Sequence, residues 1–332
     1  MSGFKNFILT FFVAAVIFGL IAFGIVKFSE NALTIGADPN SPETGAPGEV
    51  SQLPNEENRD LSSLTGKSFT MLFIGTDYLP SVFNDYSVSA GSVDENGFPK
   101  RKREINADLI IVVRVDKGTG NCVTCAVPSE TRISIGGLTI KLGELYWRKG
   151  VATLVEKVSS LTGLPVDYYA VISAEQFKGL INAMGSVTYY VSTTMNYVDE
   201  DLGMNINLKK GSQKLNGQKA LDMLRFPAYS DGEISRRKCA ASFVQKLFQI
   251  WLLNSNESKA SELYNKYIGY FDTSTLTLQA VTENADLIFS YSRMNQITYT
   301  YPGSPTVIDG ETYFSANVSV ATDYFSKYKY QG

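Results

Sequence analysis

Two arginines, Arg225 and Arg236, lie on helix faces whose other residues are apolar, and they are well suited to bind an anion. From Ser235 onward, apolar residues recur at helical spacing, and Arg236 falls on the same stripe, four residues before Ala240. Its guanidinium should therefore lie on the buried side of a helix, at the end where free N–H groups and the helix dipole favour negative charge. A phosphate or a carboxylate would fit there.

Arg225 is predicted to close a shorter helix. Asn216 is suited to cap that helix, and Pro227 should end it. Arg225 follows Leu221 by one turn, so its side chain should also point inward. The alternative is that each arginine forms an ion pair with a nearby acid, because arginines beside acidic residues are commonly paired. The candidate partners are Asp222, Asp231 and Glu233.

Two aspartates are placed where predicted strands end and begin. Asp77 follows the first strand, and Asp108 opens the second. If these strands are antiparallel neighbours, both carboxylates meet at one edge of the sheet, an arrangement suited to Mg²⁺ with water and phosphate as further ligands. The alternative is that Asp77 forms an Asx-turn and that Asp108 is solvated at a strand end.

The rest of the composition restricts the chemistry. The chain has no histidine, which excludes Ser-His and Cys-His catalysis and histidine-ligated zinc. Cys122 and Cys125 have the spacing of a redox or metal motif, but they lie in a strand-like run in which residues three apart face opposite sides. We interpret them as buried thiols. Chemistry would then depend on carboxylates, arginine, lysine and an oxygen-liganded metal.

Strands and helices alternate along the body of the chain and should position these groups. Continuous apolar runs at 69–74 and 109–115 indicate central strands covered on both faces, and 123–127 is similar. The alternation predicts an α/β fold, as a three-layer α/β/α sandwich with a mixed central sheet. Besides the two arginine-bearing helices, the predicted helices are 144–161, 174–184, 257–270 and 318–328, and the other strands are 167–172, 187–191 and 296–301.

Residues 1–28 are predicted to form one transmembrane anchor. Phe7 to Val26 carries no charge and is about twenty residues long, enough to cross a hydrocarbon core of roughly 30 Å. Lys5 precedes this span, whereas acidic residues follow Lys27, which favours a cytoplasmic N-terminus and an extracellular body at the cell membrane. A cleaved signal peptide is the alternative.

Residues 29–66 have no apolar periodicity and are expected to form a flexible linker, which leaves 67–332 as one extracytoplasmic domain. The basic residues at 100–103, including Arg103, form either a solvated loop or a loop that folds over a polyphosphate. A formal net charge of −3 argues against nucleic-acid binding.

Several segments resemble the LytR-CpsA-Psr family of cell-envelope proteins. The most specific segment is 206–226, because its lysines, glycines, QxLNGxxAL core and Arg225 are in register with the family. The membrane anchor is also similar, and 302–314 resembles a C-terminal segment of some members. The other segments are LFIGTD (72–77), NADLIIVVRVD (106–116), AVPSETRISI (126–135), IKLGELY (140–146), TGLPVDYYAVI (162–172) and DGEISRRK (231–238).

The resemblance implies an α/β/α domain outside the membrane that transfers a glycan from polyprenyl pyrophosphate to a sugar hydroxyl of peptidoglycan, through a phosphodiester. Arginines would neutralise the pyrophosphate, Mg²⁺ would assist the leaving group, a carboxylate would orient or deprotonate the acceptor, and an apolar channel would hold the isoprenoid. By match to the family motifs, Asp77 and Asp108 would serve the metal or the acceptor. The residues expected to contact phosphates are Lys141, Arg225 and Arg236, with Asp108, Arg225 and Arg236 as the catalytic set.

The sequence departs from the family at several cationic positions. The Arg-x-Asp-Thr motif reads NADL at 106–109, and Pro-Arg-Asp-Thr reads PSET at 128–131. Pro227 replaces a second arginine, and a downstream Arg-Gln pair falls on 239–240. Each lost charge-assisted contact would remove about 1.5–3 kcal/mol. Arg132 and Arg103 are the cations expected to compensate as phosphate-binding residues.

Two functions therefore remain open. The first is a divergent phosphotransferase that moves a glycopolymer from a polyprenyl-pyrophosphate carrier to peptidoglycan or another envelope acceptor. The second is a catalytically inactive scaffold or regulator of envelope assembly that binds lipid or polymer. Retention of Asp77, Asp108 and the inward arginines favours the enzyme, whereas loss of the paired arginines favours the scaffold. An adhesive surface protein has little support beyond the many tyrosines.

Overall fold

The structure is a computed structural model that describes residues 68–77, 88–93, 99–101, 105–200, 203–252 and 255–328. The predicted anchor at 1–28, the linker at 29–66 and Arg103 lie outside these residues. Within the described part of the chain, we find no helix with the length and apolar character needed to cross a membrane.

The described strands are β1 Phe69–Thr76, β2 Val88–Val93, β3 Pro99–Arg101, β4 Ala107–Asp116, β5 Asn121–Val127, β6 Arg132–Ile135, β7 Leu138–Lys141, β8 Tyr168–Ser173, β9 Val187–Val191, β10 Met195–Asp199, β11 Met204–Leu208, β12 Gly211–Leu215, β13 Thr273–Ser274, β14 Asn295–Thr300, β15 Gly303–Ile308 and β16 Glu311–Ala316. The described α-helices are α1 Leu145–Lys149, α2 Val151–Thr162, α3 Ala174–Ala183, α4 Gly217–Arg225, α5 Glu233–Leu252, α6 Ala260–Tyr267, α7 Leu278–Glu283, α8 Ala285–Phe289 and α9 Val318–Ser326.

The central sheet has the strand order β13-β8-β1-β4-β5-β14. Strand β4 pairs antiparallel with both β1 and β5, whereas β1 pairs parallel with β8, and β5 pairs parallel with β14. The prediction of an α/β fold with a mixed central sheet is therefore confirmed.

Side chains of the central strands alternate between two apolar cores, as the pleat of a strand requires. On β4, Ile111 and Val113 pack into one core with residues of α3, α4 and α5, while Ile110 and Val112 pack into the other with residues of α1, α2 and α9. Because helices cover both faces, both alternating sets of side chains are apolar, which explains the continuous runs in the sequence.

Three local features differ from the sequence predictions. The helix expected at 144–161 is divided into α1 and α2 at Gly150, whose φ of +88° favours glycine. The helix expected at 257–270 is α-helical only over α6, with a 3-10 turn on either side. Five two-stranded antiparallel pairs were not predicted, namely β2–β3, β6–β7, β9–β12, β10–β11 and β15–β16.

The interpretation of Cys122 and Cys125 as buried thiols is confirmed. Cys122 and Cys125 are buried free thiols on β5, and they belong to opposite cores. Burial raises the pKa of Cys122 to about 12 and also raises that of Cys125. Thiols with such pKa values are inert as nucleophiles and metal ligands near neutral pH.

Candidate active site

Asp108 occupies a β-bulge where β4 begins. Gly75 pairs with Leu109 and Thr76 pairs with Ala107, so Asp108 is the extra residue on β4. A bulge interrupts the regular alternation and changes the direction of a side chain. Gly75 permits this local approach of the strands, since a Cβ there would lie 3.0 Å from the Leu109 Cβ atom.

Asp77 lies beside this bulge because β1 and β4 are antiparallel neighbours, which is the condition that the sequence analysis set for a shared edge. The Asp77 backbone N–H donates to the Asn106 carbonyl at 3.3 Å, and the Asn106 N–H donates to Asp77 Oδ1 at 3.1 Å. These cross-strand hydrogen bonds hold the Asp77 carboxylate at the edge of the sheet where β4 starts. The structure therefore brings Asp77 and Asp108 to the same edge.

The Asp108 carboxyl has a pKa raised to about 7. The main cause is desolvation by the surrounding protein, although part of the side chain remains exposed at the cavity edge, and the Asp77 charge raises the pKa further. The carboxylate of Glu130 acts in the same direction, whereas Arg236 and Arg225 lower the pKa. The Asp108 carboxyl therefore interacts with two other carboxylates and with two guanidinium groups.

Arg236 lies in the first turn of α5, which begins at Glu233. Its Nε atom donates to both carboxylate oxygens of Glu233, at 2.9 and 2.8 Å, and its Nη2 atom lies 3.8 Å from Glu130 Oε1. The Arg236 side chain is only 20% exposed, so most of it is buried, as expected. The ion pair with Glu233 is also formed, so both interpretations of this arginine describe part of its environment.

Arg225 is the last residue of α4 and is partly buried. The predicted cap is present, because the Asn216 side chain accepts a hydrogen bond from the Lys219 N–H at 3.0 Å. The helix ends before Pro227, also as predicted. Arg225 lowers the pKa values of both Asp108 and Asp222, so its guanidinium acts on the candidate site and on a residue of its own helix.

Arg237 and Glu130 also belong to this group, although neither was predicted from the sequence as a site residue. A small cavity is lined by Asp108, Arg236 and Arg237 together with residues of β4, β5 and the segment after β5, including Ser129 and Glu130. The sequence did contain a signal for Arg237, since apolar residues follow it at three, seven and eleven positions, namely Ala240, Val244 and Phe248.

The two other predicted phosphate-binding residues within the described chain lie on the β6–β7 hairpin, where Arg132 pairs with Lys141. Arg132 is exposed, and the Lys141 ammonium lies 5.6 Å from the centroid of the Tyr313 ring. The hairpin reaches the segment after β5 through Gly143, whose N–H donates to the Ser129 carbonyl at 2.8 Å. In the described structure, the cavity beside Asp108 is bordered by Arg236 and Arg237 rather than by Arg132 or Lys141.

A larger apolar cavity of about 190 Å³ lies on the α5 side of the sheet. It is lined by β1, β4, the end of α5 and the segment from α6 to α8, and its residues include Phe69, Met71, Val113, Ala170, Phe248, Trp251, Tyr267 and Phe289. Arg236 and Phe248 are twelve residues apart on α5, which corresponds to about 18 Å along the helix. The charged site and the apolar cavity therefore lie along the same helix.

A divalent metal ion beside Asp108 would need oxygen ligands from the neighbouring residues. Among the described residues, no cluster of three His, Cys, Asp or Glu side chains forms a metal site. Mg²⁺ is commonly held by one or two carboxylates, with phosphate oxygens and water as the remaining ligands. Asp77 and Asp108 supply two carboxylates, and the neighbouring Asn106 Oδ1 is buried without a hydrogen-bond partner in the described structure. This oxygen-rich set fits Mg²⁺.

The chain is similar in sequence to proteins of two Bacillus species. TagV of Bacillus subtilis (strain 168), named polyisoprenyl-teichoic acid--peptidoglycan teichoic acid transferase, is 25% identical over 239 residues, which cover 70% of this chain and 55% of TagV. The chain thus spans about half of TagV. TagU of Bacillus licheniformis carries the same transferase name and is 24% identical over 249 residues, which cover 74% of this chain and 77% of TagU.

Solved structures share the fold. The crystal structure of B. subtilis TagV matches with a TM-score of 0.61 at 20% identity, covering 80% of this chain and 98% of that chain. A structure of TagT bound to LIIa-WTA matches with a TM-score of 0.56 at 16% identity, covering 82% and 92%. The profile of the LytR_cpsA_psr family matches residues 42–329. With most of its length matched by this profile, the chain belongs to the LytR_cpsA_psr (LytR-CpsA-Psr) family.

Proposed function

We propose that this protein is a phosphotransferase that moves a glycopolymer from a polyprenyl-pyrophosphate carrier to peptidoglycan or another envelope acceptor. The observation that carries the proposal is the pairing of a charged site around Asp108 with an apolar cavity along α5. A lipid diphosphate has these two parts, an anionic head and a long apolar chain. The transferase names of TagV and TagU support this chemistry.

The proposed reaction assigns roles to the predicted residues. Arg225 and Arg236 would neutralise the diphosphate. The acceptor hydroxyl oxygen would bond to the phosphorus that carries the glycan, and the bond from that phosphorus to the bridging oxygen would break, releasing polyprenyl phosphate. Asp108 would accept the hydroxyl proton as the bond between the acceptor oxygen and phosphorus forms.

The charges of the site support a divalent cation as part of the proposal. Four carboxylates interact with three guanidinium groups around the small cavity, so an anionic substrate would enter a site that is already negative by formal charge; the groups are Asp77, Asp108, Glu130 and Glu233, and Arg225, Arg236 and Arg237. Asp77 and Asp108 would hold Mg²⁺, which offsets negative charge on the diphosphate when bound.

The cellular placement belongs to the same proposal. The uncharged run from Phe7 to Val26 and the charges flanking it support a cell-membrane anchor with a cytoplasmic N-terminus and an extracellular domain. This placement would bring the apolar cavity and the membrane-bound carrier to the same side of the membrane.

The alternative function is an inactive scaffold that binds the lipid or polymer without turnover. The observation that favours it is the engagement of Arg236 by Glu233 and Glu130, which reduces the positive charge available to a phosphate. In the scaffold, the apolar cavity would still bind the isoprenoid chain.

The test uses the full-length protein in detergent with Mg²⁺, a polyprenyl-pyrophosphate oligosaccharide and a peptidoglycan fragment, followed by mass spectrometry. The transferase should release polyprenyl phosphate and form a glycan-phosphate product. Arg236→Ala should slow this by about 10- to 150-fold, because a charge-assisted contact contributes about 1.5–3 kcal/mol. Lys238→Ala, which removes an exposed charge two residues away, is the matched control.

Bound but unchanged lipid would favour the scaffold. If the wild-type protein neither bound nor processed the carrier, both functions would be rejected, and the ion pairs of Arg236 would be structural.

A further inference from the structure

We propose that Arg237 is a phosphate-binding residue of this protein, which works beside Arg236 and replaces a cation missing from the segment at 128–131. The inference rests on the proposed function, since it names a further group for the same diphosphate. Arg237 lies in the family-like segment at 231–238, but the motif match assigns it no role, and the cations expected to compensate were Arg132 and Arg103.

The position of Arg237 places it in the site. It lines the small cavity together with Asp108, Ser129, Glu130 and Arg236. Ser129 stands where the family motif has an arginine, and its hydroxyl donates to Glu130 Oε1 at 3.0 Å. The short serine side chain carries no charge, so the positive charge on this side of the cavity comes from the first turns of α5.

An aromatic ring orients the Arg237 guanidinium. The guanidinium carbon lies 5.1 Å from the centroid of the Phe314 ring, within the range of a cation–π contact. Phe314 is itself fixed to the site, because its N–H donates to the Glu130 carbonyl at 2.8 Å and it forms a β-bridge with Thr131. The ring that supports Arg237 and the segment at 128–131 are therefore held together.

Arg237 also has an unused donor. Its Nε atom is buried and has no hydrogen-bond partner in the described structure, whereas the Nε atom of Arg236 donates to both oxygens of Glu233. A buried N–H group without an acceptor costs free energy, and a phosphate oxygen entering the cavity would satisfy it. Desolvation lowers the pKa of Arg237, which agrees with a guanidinium that lacks a full complement of acceptors.

The two neighbouring arginines therefore differ in what they offer a ligand. Arg236 is bound by Glu233 on its own helix, while Arg237 is held against an apolar ring and keeps a free N–H. A planar guanidinium in this state can donate to two oxygens of one phosphate or to both phosphates of a diphosphate. We expect Arg237 to contribute more to diphosphate than to monophosphate binding.

The experiment measures binding of undecaprenyl diphosphate and undecaprenyl monophosphate to the full-length protein in detergent with Mg²⁺. Arg237→Gln should weaken diphosphate binding by about 10- to 100-fold and monophosphate binding less, so that selectivity for the diphosphate falls. Arg237→Lys keeps the charge but loses the planar fork, and it should give an intermediate loss. Lys238→Gln removes an exposed charge from the next position on α5 and should change both affinities by less than about twofold.

The outcomes separate this inference from the function on which it rests. Diphosphate binding by the wild type that persists within twofold in Arg237→Gln would reject the inference and leave the proposed function intact. A wild type that binds neither lipid would reject the proposed function and the inference together. Thermal unfolding of each variant identifies loss of the fold. If Arg237→Gln does not fold, Arg237→Lys provides the test. Unchanged selectivity for diphosphate over monophosphate in a folded Arg237→Lys variant would also reject the inference.

Discussion

At the scale of single residues, the carboxyl of Asp108 combines partial solvent exposure with a pKa near 7. The bulge on β4 places it against Asp77 and Glu130, and the opposing arginines do not fully offset their charges. A carboxyl in this position can accept a proton at neutral pH, and it can also exchange that proton for a metal ion. The pKa of Asp108 therefore measures the balance of charge and desolvation in the site.

The first prediction concerns Asp108→Asn. The folded pKa of about 7 exceeds the ordinary value of 3.8, so the folded state binds this proton more tightly than the unfolded chain between about pH 4 and 7. Stability contributed by the bound proton is therefore lost as pH rises through this interval. The Tm of the variant should match the wild type near pH 4 and exceed it above pH 7. Thermal unfolding at pH values from 4 to 8 measures the Tm of both proteins. A constant difference in Tm between the variant and the wild type over this range would contradict the prediction.

The second prediction concerns the metal. Protons compete with Mg²⁺ for Asp108, so the rise in Tm caused by adding MgCl₂ should be larger at pH 8 than at pH 6. Asp77→Asn should reduce that rise at both pH values, because it removes one proposed ligand. Asp323→Asn, at an exposed site on α9, is the control. An equal response to MgCl₂ in wild type and Asp77→Asn would argue against the proposed ligands.

At the scale of elements, the site depends on close approach between the end of the β6–β7 hairpin and the start of β4. Gly143 makes this approach possible, since a Cβ atom there would lie 2.7 Å from the Ala107 carbonyl oxygen and 3.3 Å from Ser129 Cβ. The same residue donates a hydrogen bond to the Ser129 carbonyl. The hairpin thus sets the distance between the segment at 128–131 and the bulge.

The third prediction is that Gly143→Ala separates these segments. The added methyl group has no space beside the Ala107 carbonyl, so we expect a loss of about 1–3 kcal/mol in the free energy of unfolding. The proposed transfer activity should also fall, because Asp108 follows Ala107 directly. Urea denaturation measures the stability, and Gly269→Ala, at an exposed site with no atom within 4 Å of the new Cβ, is the control. Equal stability of the two variants would show that the segments can move apart freely.

At the scale of the whole domain, one sheet connects the charged site to the apolar cavity. Strand β4 carries Asp108 at its start and cavity-lining Val113 and Val115 further along, and α5 carries Arg236 at one end and Phe248 at the other. A bound lipid diphosphate would extend along both elements. Substitutions in the cavity should therefore affect the apolar chain without changing the phosphate site.

The fourth prediction concerns Ala170→Leu, at a buried position on β8 that lines the apolar cavity. The larger side chain occupies space proposed for the isoprenoid. Excluding two methylene groups at about 0.8 kcal/mol each should weaken undecaprenyl diphosphate binding by roughly tenfold or more. Binding of inorganic pyrophosphate should not change. Calorimetric titration with both ligands tests this, and equal loss for both would point to general damage to the fold.

Much of this architecture could be predicted from the sequence because the signals are local. The apolar runs of β1 and β4 predicted buried strands, and the cap at Asn216 and the stop at Pro227 predicted the limits of α4. The inward faces of Arg225 and Arg236 also followed from helical spacing. Each of these signals describes the position of a residue within its own helix or strand. The periodicity of a helix or strand does not depend on the elements that pack against it.

What the sequence determined by itself was therefore the main strands of the central sheet, the longer helices, the two inward arginines and the family suggested by the motifs. The tertiary structure alone decided that Asp108 is the extra residue of a bulge, that Arg237 borders its cavity and that Arg132 faces solvent. The physical reason is that strand register and helix packing are fixed by contacts between residues far apart in the chain. Local periodicity contains no record of those contacts.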